Sequence, residues 1–60
     1  MELSKDQKLW LLTAHPDTWD LVEAPDWLVI ECYKLGLIRP GREPGLWRKS
    51  EIGHQATEAI

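Results

Sequence analysis

One stretch of the chain, residues 35–50, constrains the fold more than any other. It reads LGLIRPGREPGLWRKS, in which two short apolar runs flank a loop that contains two Pro-Gly pairs. Because proline restricts a loop and glycine adopts left-handed angles, the pattern predicts a β-hairpin with strands at 37–39 and 46–49. The loop can use Gly41 and Gly45 at positive φ. A two-stranded hairpin alone is marginal in water, so it must pack against helices.

Two helices are predicted in the first half of the chain. The first covers about 5–14, because Ser4 and Gln7 have the spacing of a capping box and the residue before Pro16 disfavours helical angles. The second is a short helix over about 17–24. It begins with an aspartate that can cap it, and it carries apolar residues at helical spacing.

A third helix is predicted before the hairpin, over about 25–35, and a closing helix after it, over 51–59. Gly36 follows the third helix as the expected left-handed cap, and Ser50 can cap the closing helix. The predicted element order is therefore α-α-α-β-β-α. This is a mainly α fold with a two-stranded β-hairpin, and residues 1–60 are expected to form a single domain.

The predicted core is read from apolar residues that recur at helical spacing. A domain of 60 residues buries little surface and needs its large side chains inside, so Trp10, Trp19 and Trp27 are expected in the core. The alternative, an exposed tryptophan surface for a partner, stays open. The helical faces comprise Leu9, Leu12 and Thr13 on the first helix, Leu28, Cys32 and Leu35 on the third, and Ile52, Ala56 and Ala59 or Ile60 on the last.

Basic residues are concentrated in the predicted hairpin. The net charge of the chain is −3, but the hairpin carries four basic residues against a single acid, Glu43. A local basic cluster matters more for an anionic partner than the net charge does. Two interpretations stay open: the cluster contacts phosphates, or it only solvates an exposed hairpin and discourages edge pairing. The four residues are Arg39, Arg42, Arg48 and Lys49.

The sequence shows no motif of an enzyme or of a cofactor site. Cys32 is the only cysteine, and no Cys or His cluster has the spacing of a zinc site, so we expect a buried inert thiol and no metal or other cofactor. There is no Gly-rich phosphate loop and no Ser/His/Asp arrangement, so we expect a non-enzymatic protein. The uncharged apolar run over residues 27–30 is far too short to cross a bilayer, no apolar run in the sequence is longer, and nothing resembles a signal peptide. No membrane partner and a cytoplasmic location are therefore expected.

The second half of the chain resembles a known family. It reads YKLGLI over 33–38, LWRK over 46–49 and SEIG over 50–53. In this order the three segments resemble the end of the recognition helix, a wing strand and the start of the closing helix in the winged-helix family of DNA-binding regulators. The match covers about residues 27–57. The resemblance implies a small regulatory module of phage or mobile-element type that binds double-stranded DNA. The DNA-contacting residues that it implies are Tyr33 and Lys34 on the third helix and Arg39, Arg42, Arg48 and Lys49 on the wing.

The charge of the third helix supports a different interpretation. It carries Asp26 and Glu31 against Lys34 alone, and phosphates repel acidic side chains. Base edges are commonly read by Arg, Lys, Asn or Gln, of which this helix offers only the lysine. The alternative is a non-enzymatic protein-protein interaction module on the same fold with no DNA binding, and both interpretations stay open.

The closing helix bears on self-association. An isolated helix as short as 51–59 is unstable in water, so its apolar face must pack on another element. It can cover the first helix, or it can pair with the same helix of a second copy. The sequence therefore leaves open a monomer or a weak homodimer.

Overall fold

In the computed structural model, which describes residues 2–58, three helices and two paired strands form the fold. Their order is α1 (Lys5–Leu12), α2 (Asp26–Lys34), β1 (Ile38–Pro40), β2 (Trp47–Lys49) and α3 (Glu51–Glu58). The predicted class, mainly helical with one antiparallel hairpin, is confirmed. The predicted α-α-α-β-β-α order is wrong in one element, because the second predicted helix does not form.

α1 begins at the capping box that the sequence predicts. The Ser4 Oγ accepts a hydrogen bond from the Gln7 N–H at 3.2 Å, and the Gln7 Oε1 accepts one from the Ser4 N–H at 3.0 Å. These two bonds satisfy amides that the start of a helix otherwise leaves unpaired. The helix ends at Leu12, earlier than predicted, with Thr13 as its C-cap.

Residues 17–24, for which the sequence predicts a helix, form turns and an extended segment instead. The Trp19 N–H donates to the His15 carbonyl at 2.8 Å, and the His15 N–H donates to the Asp20 carbonyl at 2.9 Å, which closes a compact turn. Trp19 has a φ of 65°, a left-handed angle that no right-handed helix contains. Local side-chain bonds, such as that from Thr18 Oγ1 to Asp20 Oδ2 at 2.8 Å, compete with helix formation.

The end of this turn adds a one-residue third member to the sheet. An isolated antiparallel bridge pairs Asp20 with Arg48 of β2. On one side of the bridge, the Leu21 N–H donates to the Trp47 carbonyl at 2.9 Å. On the other side, the Lys49 N–H donates to the Trp19 carbonyl, also at 2.9 Å. These hydrogen bonds to β2 replace those that a helix would have made.

Both strands of the hairpin begin one residue later than predicted. Their register pairs Ile38 with Lys49, Arg39 with Arg48 and Pro40 with Trp47. Gly45 has a φ of 86°, as expected for the loop, but Gly41 is not at positive φ, so that prediction is wrong. Gly41 serves a different purpose, because a Cβ there would lie 3.0 Å from the Leu46 carbonyl oxygen.

Close backbone contacts at the base of the hairpin hold it between α2 and α3. Gly36 takes the predicted left-handed angle after α2, with a φ of 76°. The Ser50 Oγ accepts the Gly53 N–H at 3.1 Å, which caps α3, and donates to the Gly36 carbonyl at 2.5 Å. Gly53 lies so close to the residue before β1 that a Cβ on it would stand 2.2 Å from the Leu37 carbonyl oxygen. The SEIG segment therefore has a packing role in this fold.

The core lies where α1 and α2 meet the sheet. Trp10, Leu28 and Cys32 are buried there as predicted, while Trp19 and Ala56 are half-buried. Among residues 2–58, the buried apolar residues are Trp10, Leu11, Leu21, Leu28, Cys32, Leu37 and Ile38.

Several predicted core residues are exposed instead, and helix geometry gives the reason. They are Leu9, Leu12, Thr13, Trp27, Leu35 and Ile52. Successive residues of a helix are turned by about 100°, so a short helix has several possible inward faces. α1 turns Trp10 and Leu11 inward, and α3 turns Gly53 inward, which leaves their neighbours in solvent. Ala59 and Ile60 lie outside the described residues.

Candidate interaction surface

Two of the four basic hairpin residues hold the turn between α1 and α2. Arg48 donates from Nε and Nη2 to the Thr18 carbonyl at 3.0 and 2.7 Å, and its Nε lies 3.5 Å from Asp20 Oδ1. Lys49 is only 9% exposed, and its Nζ lies 5.2 Å from the centroid of the Trp19 ring, a cation–π arrangement. Both cations therefore already have partners inside the protein.

A shallow cleft of about 290 Å³ beside the hairpin brings three of the predicted phosphate contacts together. Arg39, Arg48 and Lys49 line this basic cleft, but Asp17 lines it too and reduces its positive charge. Arg42 lies in the hairpin loop, outside the cleft, and is exposed. Of the four basic residues, Arg39 and Arg42 are thus the two that remain exposed to solvent.

The outer face of α2 is the row Trp27, Ile30, Tyr33 and Lys34, all of which are exposed. The three large apolar side chains are 51, 51 and 55% exposed. They follow one another along one side of the helix because they are spaced three residues apart. The Tyr33 ring stands edge-on to Trp47 of β2, with 5.4 Å between ring centroids. The predicted site residues Tyr33 and Lys34 therefore lie at the surface, beside large apolar side chains.

A groove of about 600 Å³ runs beside this face, between α2, residues 21–24 and the hairpin loop. Ile30 belongs to both the outer face and the groove, and the exposed Val22 and Leu46 lie on the opposite side. Trp10 closes the interior, and its indole N–H donates to the Val22 carbonyl at 2.9 Å. The interior of the groove is thus apolar, and its buried indole donor has a partner.

Glu23 and Asp26 give the groove a negative rim. The other described residues that line it are apolar side chains and one glycine. Asp26 lies in the first turn of α2, where the helix dipole favours a negative charge. Neither carboxylate forms an ion pair with another described residue. The outer face and this groove together are called the α2 surface below.

The Cys32 thiol is a poor nucleophile in this fold. It is fully buried, and that burial, with a smaller effect of the Glu31 charge, raises its pKa to about 11. With this raised pKa, Cys32 stays protonated at neutral pH. Because the thiolate is the reactive form, the protonated thiol is a poor nucleophile. Within residues 2–58, no three His, Cys, Asp or Glu side chains are placed to hold a metal ion, and no helix has the length and apolar character to cross a membrane.

Sequence reasoning missed the groove, although part of the signal was present. Trp27, Ile30 and Tyr33 are visible in the sequence as a second apolar row on α2, beside the row that enters the core. Val22 and Leu46 are far apart in sequence and meet only because the turn after α1 pairs with β2. No local pattern encodes that meeting.

The chain matches no protein-family model, no curated protein and no solved structure. The winged-helix resemblance therefore rests on the residues of this chain alone. The basic cleft and the α2 surface are the two regions whose chemistry bears on function.

Proposed function

We propose that the protein is a non-enzymatic interaction module that binds another protein through the α2 surface. The observation that carries this proposal is the row Trp27, Ile30 and Tyr33, in which each large apolar side chain is at least 51% exposed. Exposed apolar patches mark interaction sites, and tryptophan and tyrosine often anchor them. A partner that covers these side chains removes apolar area from water, which stabilises the complex.

The charges of α2 favour a protein over DNA at this surface. The helix carries Asp26 and Glu31 against Lys34, and phosphates repel both acids. Glu31 is also held in place, because its Oε1 accepts a hydrogen bond from Gln7 Nε2 at 3.0 Å. Base readout would depend on Lys34 alone, so the helix is poorly equipped to read a major groove.

Our second proposal is DNA binding through the hairpin, and the exposure of Arg39 and Arg42 favours it. In this proposal the chain is a small winged-helix regulator of phage or mobile-element type, and the hairpin is its wing. The order helix, hairpin, helix from α2 to α3 supports it. Arg48 and Lys49 contribute less to it than their charges alone suggest, because both have partners inside the protein.

Affinity capture with three versions of the full chain tests the first proposal. The unsubstituted chain, Ile30→Asp and Arg42→Gln serve as baits in the same lysate, and bound proteins are quantified. We expect a stoichiometric partner that the unsubstituted chain and Arg42→Gln retain and that Ile30→Asp loses, because burying an unpaired carboxylate is unfavourable. Equal capture by all three baits would contradict the proposal. Circular dichroism checks that both substitutions leave the fold unchanged.

Titration with a mixed-sequence duplex at about 50 mM salt tests the second proposal. Non-specific DNA binding has a Kd of about 10⁻⁴–10⁻⁶ M even at physiological salt. Binding that weakens with added salt and in the double variant Arg39→Gln, Arg42→Gln supports the second proposal. No binding at about 50 µM protein rules it out.

A further inference from the structure

We propose that the partner presents a basic amphipathic helix to the groove of the α2 surface. This inference rests on the proposed function and specifies the chemistry of the segment that the protein recognises. It follows from the charge of the groove, from the pairing of the sheet edges and from the length of α2.

The charge of the groove selects a basic partner. Glu23 and Asp26 line the groove together with apolar residues, and none of the basic residues within 2–58 lines it. Both carboxylates lack an ion-pair partner among the described residues, so a lysine or arginine from a partner can approach them directly. The same negative charges repel acidic or phosphorylated segments, which disfavours such partners here.

Neither edge of the sheet favours the addition of an extended peptide. At the edge after α1, the Asp20 carbonyl already accepts the His15 N–H at 2.9 Å, and the Val22 carbonyl accepts the Trp10 indole N–H at 2.9 Å. At the other edge, β1 has only three residues and ends in Pro40, which has no N–H to donate. Strand addition needs free backbone groups, whereas a helix satisfies its own.

The length of α2 sets the length of helix that it can align. Its nine residues, at about 1.5 Å per residue, span about 13 Å. A partner helix laid along it therefore contacts the groove over about two turns, with apolar anchors at positions i, i+3 or i+4, and i+7. Lysine or arginine residues next to these anchors can reach Glu23 and Asp26.

A second copy of the chain is the competing occupant. The outer side of α1 exposes Leu9 and Leu12 next to Lys5 and Lys8, which is a basic amphipathic face. Docking of α1 into the groove of another copy is a head-to-tail contact, which extends into rings or open chains instead of a closed two-fold dimer. A helix from a different protein forms no such rings or open chains, so we propose that the helix belongs to a different protein.

Titration of the full chain with three synthetic peptides tests the inference. Each peptide has about 14 residues; the first carries leucines at i, i+3 and i+7 flanked by lysines, the second replaces the lysines with glutamates, and the third scrambles the first. Binding is followed in ¹H–¹⁵N spectra of the labelled chain. We expect the lysine peptide to bind about 2- to 30-fold more tightly than the glutamate peptide at low salt. The lysine peptide can form two exposed ion pairs, with Glu23 and Asp26, that the glutamate peptide cannot form. The difference should shrink as salt is added.

Variants of the chain locate the effect. The double variant Glu23→Gln, Asp26→Asn is expected to remove the preference for lysine, and Arg42→Gln, the control, is expected to keep it. Equal affinity for the lysine and glutamate peptides, binding of the scrambled peptide with the same affinity, or no binding at about 500 µM would overturn the inference. A concentration-dependent increase in mass of the chain alone, abolished by Leu12→Ser, would also overturn it, because a second copy would then occupy the groove.

The inference and the proposed function fail separately. If the captured protein depends on Ile30 but not on Glu23 and Asp26, the α2 surface binds a protein and only the basic helix is wrong. If capture does not depend on Ile30, the proposed function itself fails.

Discussion

The basic cleft and the α2 surface differ in what their side chains already contact. In the cleft, Arg48 is bonded to the Thr18 carbonyl, and Lys49 lies over the Trp19 ring. On the α2 surface, half of the Trp27 side chain remains in solvent. A basic cluster in a sequence can therefore stabilise the fold, while an apolar row outside the core stays available to a partner.

The largest expected effect lies at the base of the hairpin, on which the geometry of the basic cleft depends. Gly53→Ala places a Cβ 2.2 Å from the Leu37 carbonyl oxygen, so α3 or the strand must shift. We expect the free energy of unfolding to fall by about 3 kcal/mol or more, at the upper end of overpacking effects. Urea denaturation measures it, with Gln55→Ala on the exposed side of α3 as the control. A neutral Gly53→Ala would show that α3 does not approach the Leu37 carbonyl so closely.

The buried side of α2 gives the next effect and contrasts with the exposed α2 surface. The pKa of Cys32 rises from its ordinary 9.0 to about 11 in the folded protein, so the unfolded chain loses this proton first as the pH rises. The contribution of Cys32 to the free energy of unfolding is constant below pH 9. It falls by up to about 3 kcal/mol between pH 9 and 11, because only the unfolded chain ionises there. Unfolding curves across this range measure it, and Cys32→Ala, which lacks the thiol, should show a smaller decline. Rapid alkylation of the native thiol at pH 8 would contradict this burial.

A paired substitution in the basic cleft gives a smaller effect and tests the comparison itself. Arg48→Ala removes two bonds to the Thr18 carbonyl and the ion pair with Asp20, so we expect a loss of about 1–3 kcal/mol. Arg39→Ala removes an exposed cation and should change stability by less than about 0.5 kcal/mol. Thermal melts of both variants decide the matter. If the two losses are equal, Arg48 does not hold the turn.

The parts of the fold that were predictable from sequence are those with local signals. Gly36 after α2, the capping box of Ser4 and Gln7, and the cap at Ser50 each act within a few residues, and the structure has all of them. The turn after α1 depends instead on Arg48, which is 30 positions from Thr18. The helical spacing over 17–24 therefore predicts a helix, but contacts with β2 stabilise a turn and an extended segment instead.

The candidate site was predictable only in part, for the same physical reason. The sequence identifies Arg39, Arg48 and Lys49 as charges, but burial and internal partners are properties of the tertiary structure. The sequence predicts Trp27 in the core because a small domain needs large side chains inside. α2 turns Leu28 inward instead, which leaves this tryptophan at the surface.

The most direct test of the central claim is a comparison of ¹H–¹⁵N spectra of the full chain with and without its captured partner. We expect the largest signal changes on the α2 surface, at Ile30, Leu46 and the indole N–H of Trp27. The signals of Arg39 and Arg42 should change little. If the largest changes occur at these two arginines and the α2 surface is unaffected, the partner does not bind the α2 surface and the hairpin is the binding surface.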